Sequence, residues 1–390
     1  MQKTLLFLVL LLSFSFLKAQ ENILSEQSEI SVLTIAPGAS LNDAFGHNAF
    51  RIKDPQSNLD VTYDYGRFDF EAPNFYLNFA KGKLNYSIGS MGFYDFIRFY
   101  VSQNRTVKEQ ILNLTPNEKQ SLYNFLIENN KPENRNYLYE FFFDNCATKI
   151  KDVVNIAVDN NIIFNKPENF EEASFRTLIQ NNLNRNSWGS LGIDIALGSV
   201  IDTNANEEEH MFLPENIYKF FEVATLKNNQ ALVKKSSVIF EEVESTKTNN
   251  FFTSPLFVFG VIGFFILFIT YKDYKNGKQT KWLDITLFAI TGIIGVLILL
   301  LWFATDHRGT HQNYNLLWAC ALNIVVIGQL FKNKVSSWFI KYLKFLIILL
   351  CLLTLHWIIG VQVFAIGLIP FLIALFVRYL YLINYLGKSK

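Results

Sequence analysis

After Asn250 this chain turns almost continuously apolar, and that change limits the folds open to it more than any motif does. Five runs follow, near residues 252–271, 283–304, 314–331, 338–358 and 363–385, each close to the length that a hydrocarbon core of ~30 Å requires of a helix. Five buried helices in succession would need an implausibly large covering shell in a soluble protein. The basic residues fall on alternate sides. Lys272, Lys275, Lys278 and Lys281 separate the first two runs, Lys332 and Lys334 separate the third from the fourth with Lys341 and Lys344 just beyond, and Lys388 and Lys390 end the chain. The turn at 305–313 has only Arg308, and the turn near Gly360 has no basic residue. The positive-inside rule therefore puts the lysine-bearing loops and the C-terminus in the cytoplasm. Five spans ending inside leave the preceding globular part outside.

The N-terminus agrees with that orientation. Met1-Gln2-Lys3, an apolar stretch from Leu5 to Leu17 and the small residue Ala19 have the form of a secretory signal peptide over residues 1–19, with no nearby cysteine to make the chain itself a lipoprotein. Residues 20–225 have the mixed polarity of one domain with its own core. Residues 226–250, rich in Lys, Glu, Asn and Ser, are expected to be a polar connector, residues 251–386 to form a five-helix membrane domain, and residues 387–390 to form a cytoplasmic tail. The net charge of +1 gives no hint of nucleic-acid binding.

The outer domain reads as α+β. Alternation predicts strands over residues 29–36, 49–53 and 61–65, and a fourth over 84–88, before an aromatic helix in which Phe93, Phe96, Ile97, Tyr100 and Val101 share a face. Thr115-Pro116-Asn117-Glu118 carries a capping hydroxyl, a proline at the first helical position and a glutamate to close the box, so a helix should run from there to about Asn129. Residues 136–143 are β-prone and lead to Asp144-Asn145-Cys146-Ala147-Thr148, beyond which Ala147, Ile150, Val153, Val154 and Ala157 fall on one helical face. Another helix is expected over residues 171–183.

Cys146 is the only cysteine in the outer part, since Cys320 and Cys351 lie within the apolar runs. It has no disulfide partner in an oxidising compartment. At a helix start, capped by Asp144 or Asn145, its sulfur gains from the helix dipole as an anion, and a neighbouring histidine would lower its pKa further. Such a thiol reads as a nucleophile; the bland alternative is a small buried apolar residue. Only His47 and His210 lie in the soluble domain, and His47 is favoured because Gly46 before it would let another element approach. Asp64, on the next strand, could orient the imidazole, with Asn48, Tyr63 and Tyr65 as rivals. Backbone amides at the start of the Cys146 helix should hold an oxyanion.

A histidine on an early strand, a polar partner on the next and a later Asn-Cys at a helix start resemble the circularly permuted papain-like thiol enzymes. More closely, Pro37-Gly38, Phe45-Gly46-His47, Tyr63-Asp64-Tyr65-Gly66, Phe68-Asp69-Phe70, Pro73-Asn74-Phe75-Tyr76, Phe142-Phe143-Asp144-Asn145-Cys146-Ala147-Thr148 and Met211-Phe212-Leu213-Pro214 are similar to the Lnb-type family of bacterial membrane proteins. Thr305-Asp306-His307 and Asn313-Tyr314-Asn315-Leu316-Leu317-Trp318 extend the resemblance into the membrane part. It implies a periplasmic thiol domain on an inner-membrane anchor, and a lipoprotein N-acyltransferase that moves an acyl chain from a phospholipid through a Cys146 thioester to the N-terminal amine of a lipidated protein. Many relatives have asparagine where this chain has Asp64, so the orienting role departs from the family's pattern at that position.

Physical reasoning points the same way. Burying a methylene is worth about 0.8 kcal/mol, so drawing a chain of ~15 carbons into water would cost on the order of 12 kcal/mol. An acyltransferase should stay at the bilayer, and 38 Phe and 17 Tyr suit an interfacial groove. The rivals are a membrane-tethered amidase or peptidase using the same dyad and a non-enzymatic envelope sensor or scaffold. Arg51 and Arg67 could grip a phosphate, and Asn145, Asp306 and His307 are further candidates for substrate contact. Asp306, His307 and His311 lack a fourth partner at zinc spacing, so no metal is expected; nor is a cofactor, since ester and thioester have similar transfer potential.

Overall fold

The computed structural model describes residues 23–243, 250–332 and 334–388. The expected signal peptide and the last two positions of the expected cytoplasmic tail lie outside the described residues.

The strands of the outer domain are β1 (Glu29–Ile35), β2 (His47–Asp54), β3 (Leu59–Arg67), β4 (Asn85–Gly92), β5 (Val107–Leu112), β6 (Asn136–Leu138), β7 (Ile162–Ile163), β8 (Thr225–Leu226) and β9 (Val233–Phe240). Seven of them form an antiparallel sheet in the order β6-β4-β3-β2-β1-β5-β9, and β7 pairs separately with β8. The helices of this domain are α1 (Phe75–Lys81), α2 (Phe93–Ser102), α3 (Pro116–Asn129), α4 (Cys146–Ala157), α5 (Phe175–Asn181), α6 (Trp188–Ala196) and α7 (Pro214–Val223).

Strand alternation sends side chains to two separate cores. Ile30, Val32, Phe50, Ile52, Tyr63 and Tyr65 face α3, α4 and α7 through Leu122, Val154 and Phe220. Leu33, Ile35 and Ala49 face the other way, onto Phe96 and Tyr100 of α2. The capping box at Thr115 and Glu118 forms as its sequence predicts. Helix α5 is shorter than the expected 171–183 because Ser174 caps it three residues later.

The stretch expected to be a connector holds β9, the outermost strand of the sheet, paired to β5. An edge strand is held by backbone bonds along one side and carries polar residues, here Lys234, Lys235, Ser236 and Ser237, so its sequence looks like a solvated linker.

The apolar part holds α8 (Pro255–Asn276), α9 (Lys281–Phe303), the short α10 (Leu322–Val326), α11 (Ser337–Ile358) and α12 (Ile369–Lys388). Among the described residues four helices are long and apolar enough to cross a membrane: α8, α9, α11 and the segment Ile366–Lys388 that contains α12. The expected third span, 314–331, is not one helix. It is a broken pair, Arg308–Leu317 and Leu322–Phe331, bent by 43°, with α10 in its second half. Its first half is tied to the outer domain, where Asn313 and Asn315 donate to the Ile195 and Asp194 carbonyls at 2.8 and 2.9 Å. Its far end meets Lys281 at the opposite end of α9, through a 3.0 Å bond to the Lys332 carbonyl. Counted as one bent span, the broken pair brings the total among the described residues to five.

A polar junction fixes the outer domain onto these helices. Buried Arg176 bonds Asp194 at 2.9 Å and Asp202 at 2.8 Å, and Asp202 also accepts from the Val363 amide at 3.1 Å. The Gly198 and Ser199 amides donate to the Gly309 and Gln312 carbonyls. These bonds set the height of the outer domain above the spans.

Candidate active site

Strand β2 begins at His47 because Gly46 takes φ +80°, a conformation side chains disfavour, and a Cβ there would lie 2.6 Å from the Ile35 carbonyl oxygen. The close approach expected of Gly46 is therefore to β1. Register places Ala49 opposite Asp64, so His47 and Asp64 are diagonal neighbours on the same side of the sheet. His47 Nε2 and Asp64 Oδ2 are 3.1 Å apart.

Cys146 arrives from the other side of the sheet, on the first turn of α4. Asn145 is the cap: its Oδ1 accepts from the Ala147 and Thr148 amides at 2.8 and 3.0 Å, and its Nδ2 donates to the Phe141 and Phe212 carbonyls at 2.7 and 2.8 Å. The sulfur meets the histidine at the end of the sheet, beside Gly66, where a Cβ would stand 3.8 Å from that of Cys146. The Met211-Phe212-Leu213-Pro214 stretch braces both halves, since Phe212 receives the cap and Pro214 packs against Gly46.

The electrostatics favour an ion pair. Burial pushes the Cys146 thiol up, but the charge and hydrogen bond of His47 and the Asn48 amide outweigh it and leave the thiol below its ordinary value. Burial likewise opposes charge on His47; the neighbouring Tyr100 and Cys146, with the Asp64 hydrogen bond, outweigh it and hold the imidazole well above its usual range. Burial pushes Asp64 up as well, and His47 and Arg67 together keep it below the usual carboxylate range. Arg67 donates through Nε and Nη2 to Asp64 Oδ1 at 2.8 and 2.5 Å, leaving Oδ2 to the imidazole. With Nε2 committed to Asp64, Nδ1 is the nitrogen left for sulfur. A thiolate beside an imidazolium can attack an acyl carbon and return a proton to the leaving group.

The rivals for the orienting position are engaged elsewhere. Tyr65 donates to Asn129 Oδ1 at 2.6 Å, Asn48 donates to the Leu33 carbonyl and Thr34, and Tyr63 faces the opposite core. His210 is buried against Phe170, with Nδ1 2.8 Å from the Asn206 carbonyl. Arg51 is not free to grip a phosphate: its guanidinium bonds Asp60 and Glu109 and lies 3.4 Å over the Phe93 ring. Asn145 is occupied as the cap. Asp306 pairs with Lys83 at 3.5 Å, and His307 Nε2 lies 2.9 Å from the Phe79 carbonyl, so these two join the outer loop to α1. That loop also approaches the turn before Cys146, with Gly309 against Phe142 and Arg308 5.6 Å over the Phe143 ring. Among the described residues no three His, Cys, Asp or Glu side chains are placed to hold a metal.

The expected oxyanion site is narrower than the helix start suggests. The Ala147 and Thr148 amides already serve the cap, which leaves the Cys146 amide of that first turn. Arg67, a candidate phosphate contact by sequence, instead grips Asp64. Three residues apart on a regular strand, the two side chains would point to opposite faces. The strand is irregular there, with a register shift between Asp64 and Arg67 and Gly66 at φ +96°, and the glycine was the one signal available.

A sheet domain that holds a thiol, an imidazole and a carboxylate above a set of apolar spans makes this a membrane protein with a separate domain outside the bilayer. A family model described as the Lnb N-terminal periplasmic domain matches residues 15–181, and one described as the Lnb transmembrane domain matches residues 246–390. The chain belongs to the Lnb family, and its N-terminal domain is periplasmic. No curated protein and no solved structure gives a significant match.

Proposed function

We propose that this protein is a lipoprotein N-acyltransferase of the bacterial inner membrane, with Cys146 as nucleophile, His47 as general base and acid, and Asp64 as the group that orients His47. The observation that carries this reading is the Cys146, His47 and Asp64 alignment held beside the outer ends of membrane spans. The strand order of histidine and partner, followed by a cysteine helix, supports a permuted papain-like domain. The Cys146 thiolate attacks the ester carbon of a phospholipid, forming a C–S bond; the C–O bond breaks and the lysophospholipid oxygen takes the proton from His47. The amine of a lipidated N-terminus then attacks the thioester, a C–N bond forms, and His47 accepts the amine proton as the thiolate leaves. The Cys146 amide stabilises the oxyanion in both halves. The C-terminus is assigned to the cytoplasm.

The test compares N-terminal lipopeptides, by mass spectrometry, from cells lacking the chain and supplied with wild type or Cys146→Ser. N-acylation restored by wild type alone supports the reading. Equal acylation with both proteins present in the membrane overturns it, and release of free fatty acid or peptide without transfer would point to hydrolysis.

A further inference from the structure

The thiol lies at one end of a continuous aromatic surface. Gly66 borders Cys146, and two residues later Phe68 packs on Tyr86, with ring centroids 5.2 Å apart; Tyr86 in turn stacks on Tyr139 at 4.2 Å. Phe68 also contacts Phe70 and Phe75 at 4.9 and 6.0 Å, which carries the surface onto α1. There Phe70, Tyr76 and Phe79 are 59, 76 and 55% exposed. Exposed aromatic rings grouped in this way need a partner, and a soluble environment does not provide one.

The position of α1 identifies that partner. Its last turn is bonded to the loop that leaves α9: the Asp306 amide donates to the Lys81 carbonyl at 2.9 Å, and His307 meets the Phe79 carbonyl. Span α9 ends at Phe303, itself 73% exposed. A few residues of chain reach at most ~3.6 Å each, so α1 is held within about 15 Å of the end of the span. That is the depth of the headgroup region, where aromatic rings concentrate. Exposed Lys81 at the end of α1 is placed for lipid phosphates.

We propose that the aromatic surface from Phe68 to Phe79 lies in the outer leaflet and admits the acyl chain of the donor phospholipid to Cys146. This rests on the acyltransferase reading and names the path of its donor. The surface keeps the chain in apolar contact while the ester reaches the sulfur, so the lipid need not enter water.

Two measurements on the full-length protein in phosphatidylethanolamine and phosphatidylglycerol vesicles test it. The first places a benzoylphenylalanine photocrosslinker at Tyr76, with the exposed β2–β3 turn residue Gln56 as control. Lipid adducts at position 76 well above those at 56 are expected, and equal yields overturn the proposal whether or not the protein is catalytic. The second measures acylation of Cys146 by a long-chain phospholipid and by dihexanoyl phosphatidylcholine, in wild type and in a Phe70→Ser, Tyr76→Ser, Phe79→Ser variant. The long-to-short rate ratio should fall roughly tenfold or more, as lost apolar contact along a long chain requires. An unchanged ratio, including an equal loss for both donors, overturns the acyl path. If wild type is acylated by neither donor, the acyltransferase reading fails, and with it the acyl path, while the crosslink still decides whether the surface meets lipid.

Discussion

Two arginine–aspartate clusters, one around fully buried Arg378 and one in which half-buried Arg67 reaches a buried Asp64, serve opposite purposes in this molecule. In the membrane domain Arg378 bonds Asp273 at 2.7 Å and Asp284 at 2.7 and 3.1 Å, and Thr280 and Gln279 fill further positions on those carboxylates. It fastens α8, α9 and α12 together. In the outer domain Arg67 takes one oxygen of Asp64 and leaves the other to His47, which faces a thiol. A buried aspartate paired with an arginine is common to both, so that pairing does not mark a reactive site by itself. The difference is a titratable group beyond the ion pair, with a nucleophile next to it.

Replacing the nucleophile gives the largest separation between the clusters. Cys146→Ser should lower acyl transfer by several orders of magnitude while thermal stability in detergent stays near wild type, as measured by lipopeptide analysis and a melting curve. Asp64→Ala should reduce turnover by about a hundredfold, because the imidazole loses the hydrogen-bond partner that orients it. Arg378→Met should act on the other quantity. It leaves Asp273 and Asp284 buried without their cation, at a cost of roughly 3–5 kcal/mol in stability, and protein that remains folded should keep normal alkylation of Cys146. A catalytic defect in that folded fraction would erase the contrast.

Asn145→Ala removes a cap worth ~1 kcal/mol together with the donors to the Phe141 and Phe212 carbonyls, and should lower the melting temperature by more than loss of the cap alone. The pH dependence is the finest discriminator. Iodoacetamide should alkylate Cys146 with a midpoint below the ordinary thiol value of about 8.5, and His47→Ala should move that midpoint up. His47 is raised in the folded state, so its charge contributes stability in full below about pH 6.5 and loses it as pH rises through the folded pKa; Asp64 is lowered, so its contribution is present above about pH 3.9 and is lost as pH falls through its folded pKa. Activity should therefore have an acid limb from Cys146 and an alkaline limb from His47. A single limb would remove the ion pair from the mechanism.

Much of the candidate site is legible because two of its three members carry a local signal. Cys146 stands at a helix start after a capping asparagine, and His47 follows a glycine at a strand entry. The third span misled because Trp318-Ala319-Cys320-Ala321 stays apolar through the bend, and hydropathy does not register a change of direction. Strand β9 was hidden because its stabilising bonds come from the backbone. Arg51 and Arg67 looked equivalent as sequence, and only their surroundings separate a cross-strand ion pair from the support of Asp64.

The sequence by itself determined that the chain is anchored by apolar spans, that an α+β domain precedes them, and that one unpaired cysteine lies in that domain. Those are consequences of composition, period and capping, which are local properties of a chain. Tertiary structure alone decided that His47 and Asp64 meet Cys146, that Arg67 holds one oxygen of Asp64, and that α1 is tied to the end of α9. Such meetings depend on strand register and on where one domain docks against another, and residues far apart in sequence carry no period that records them.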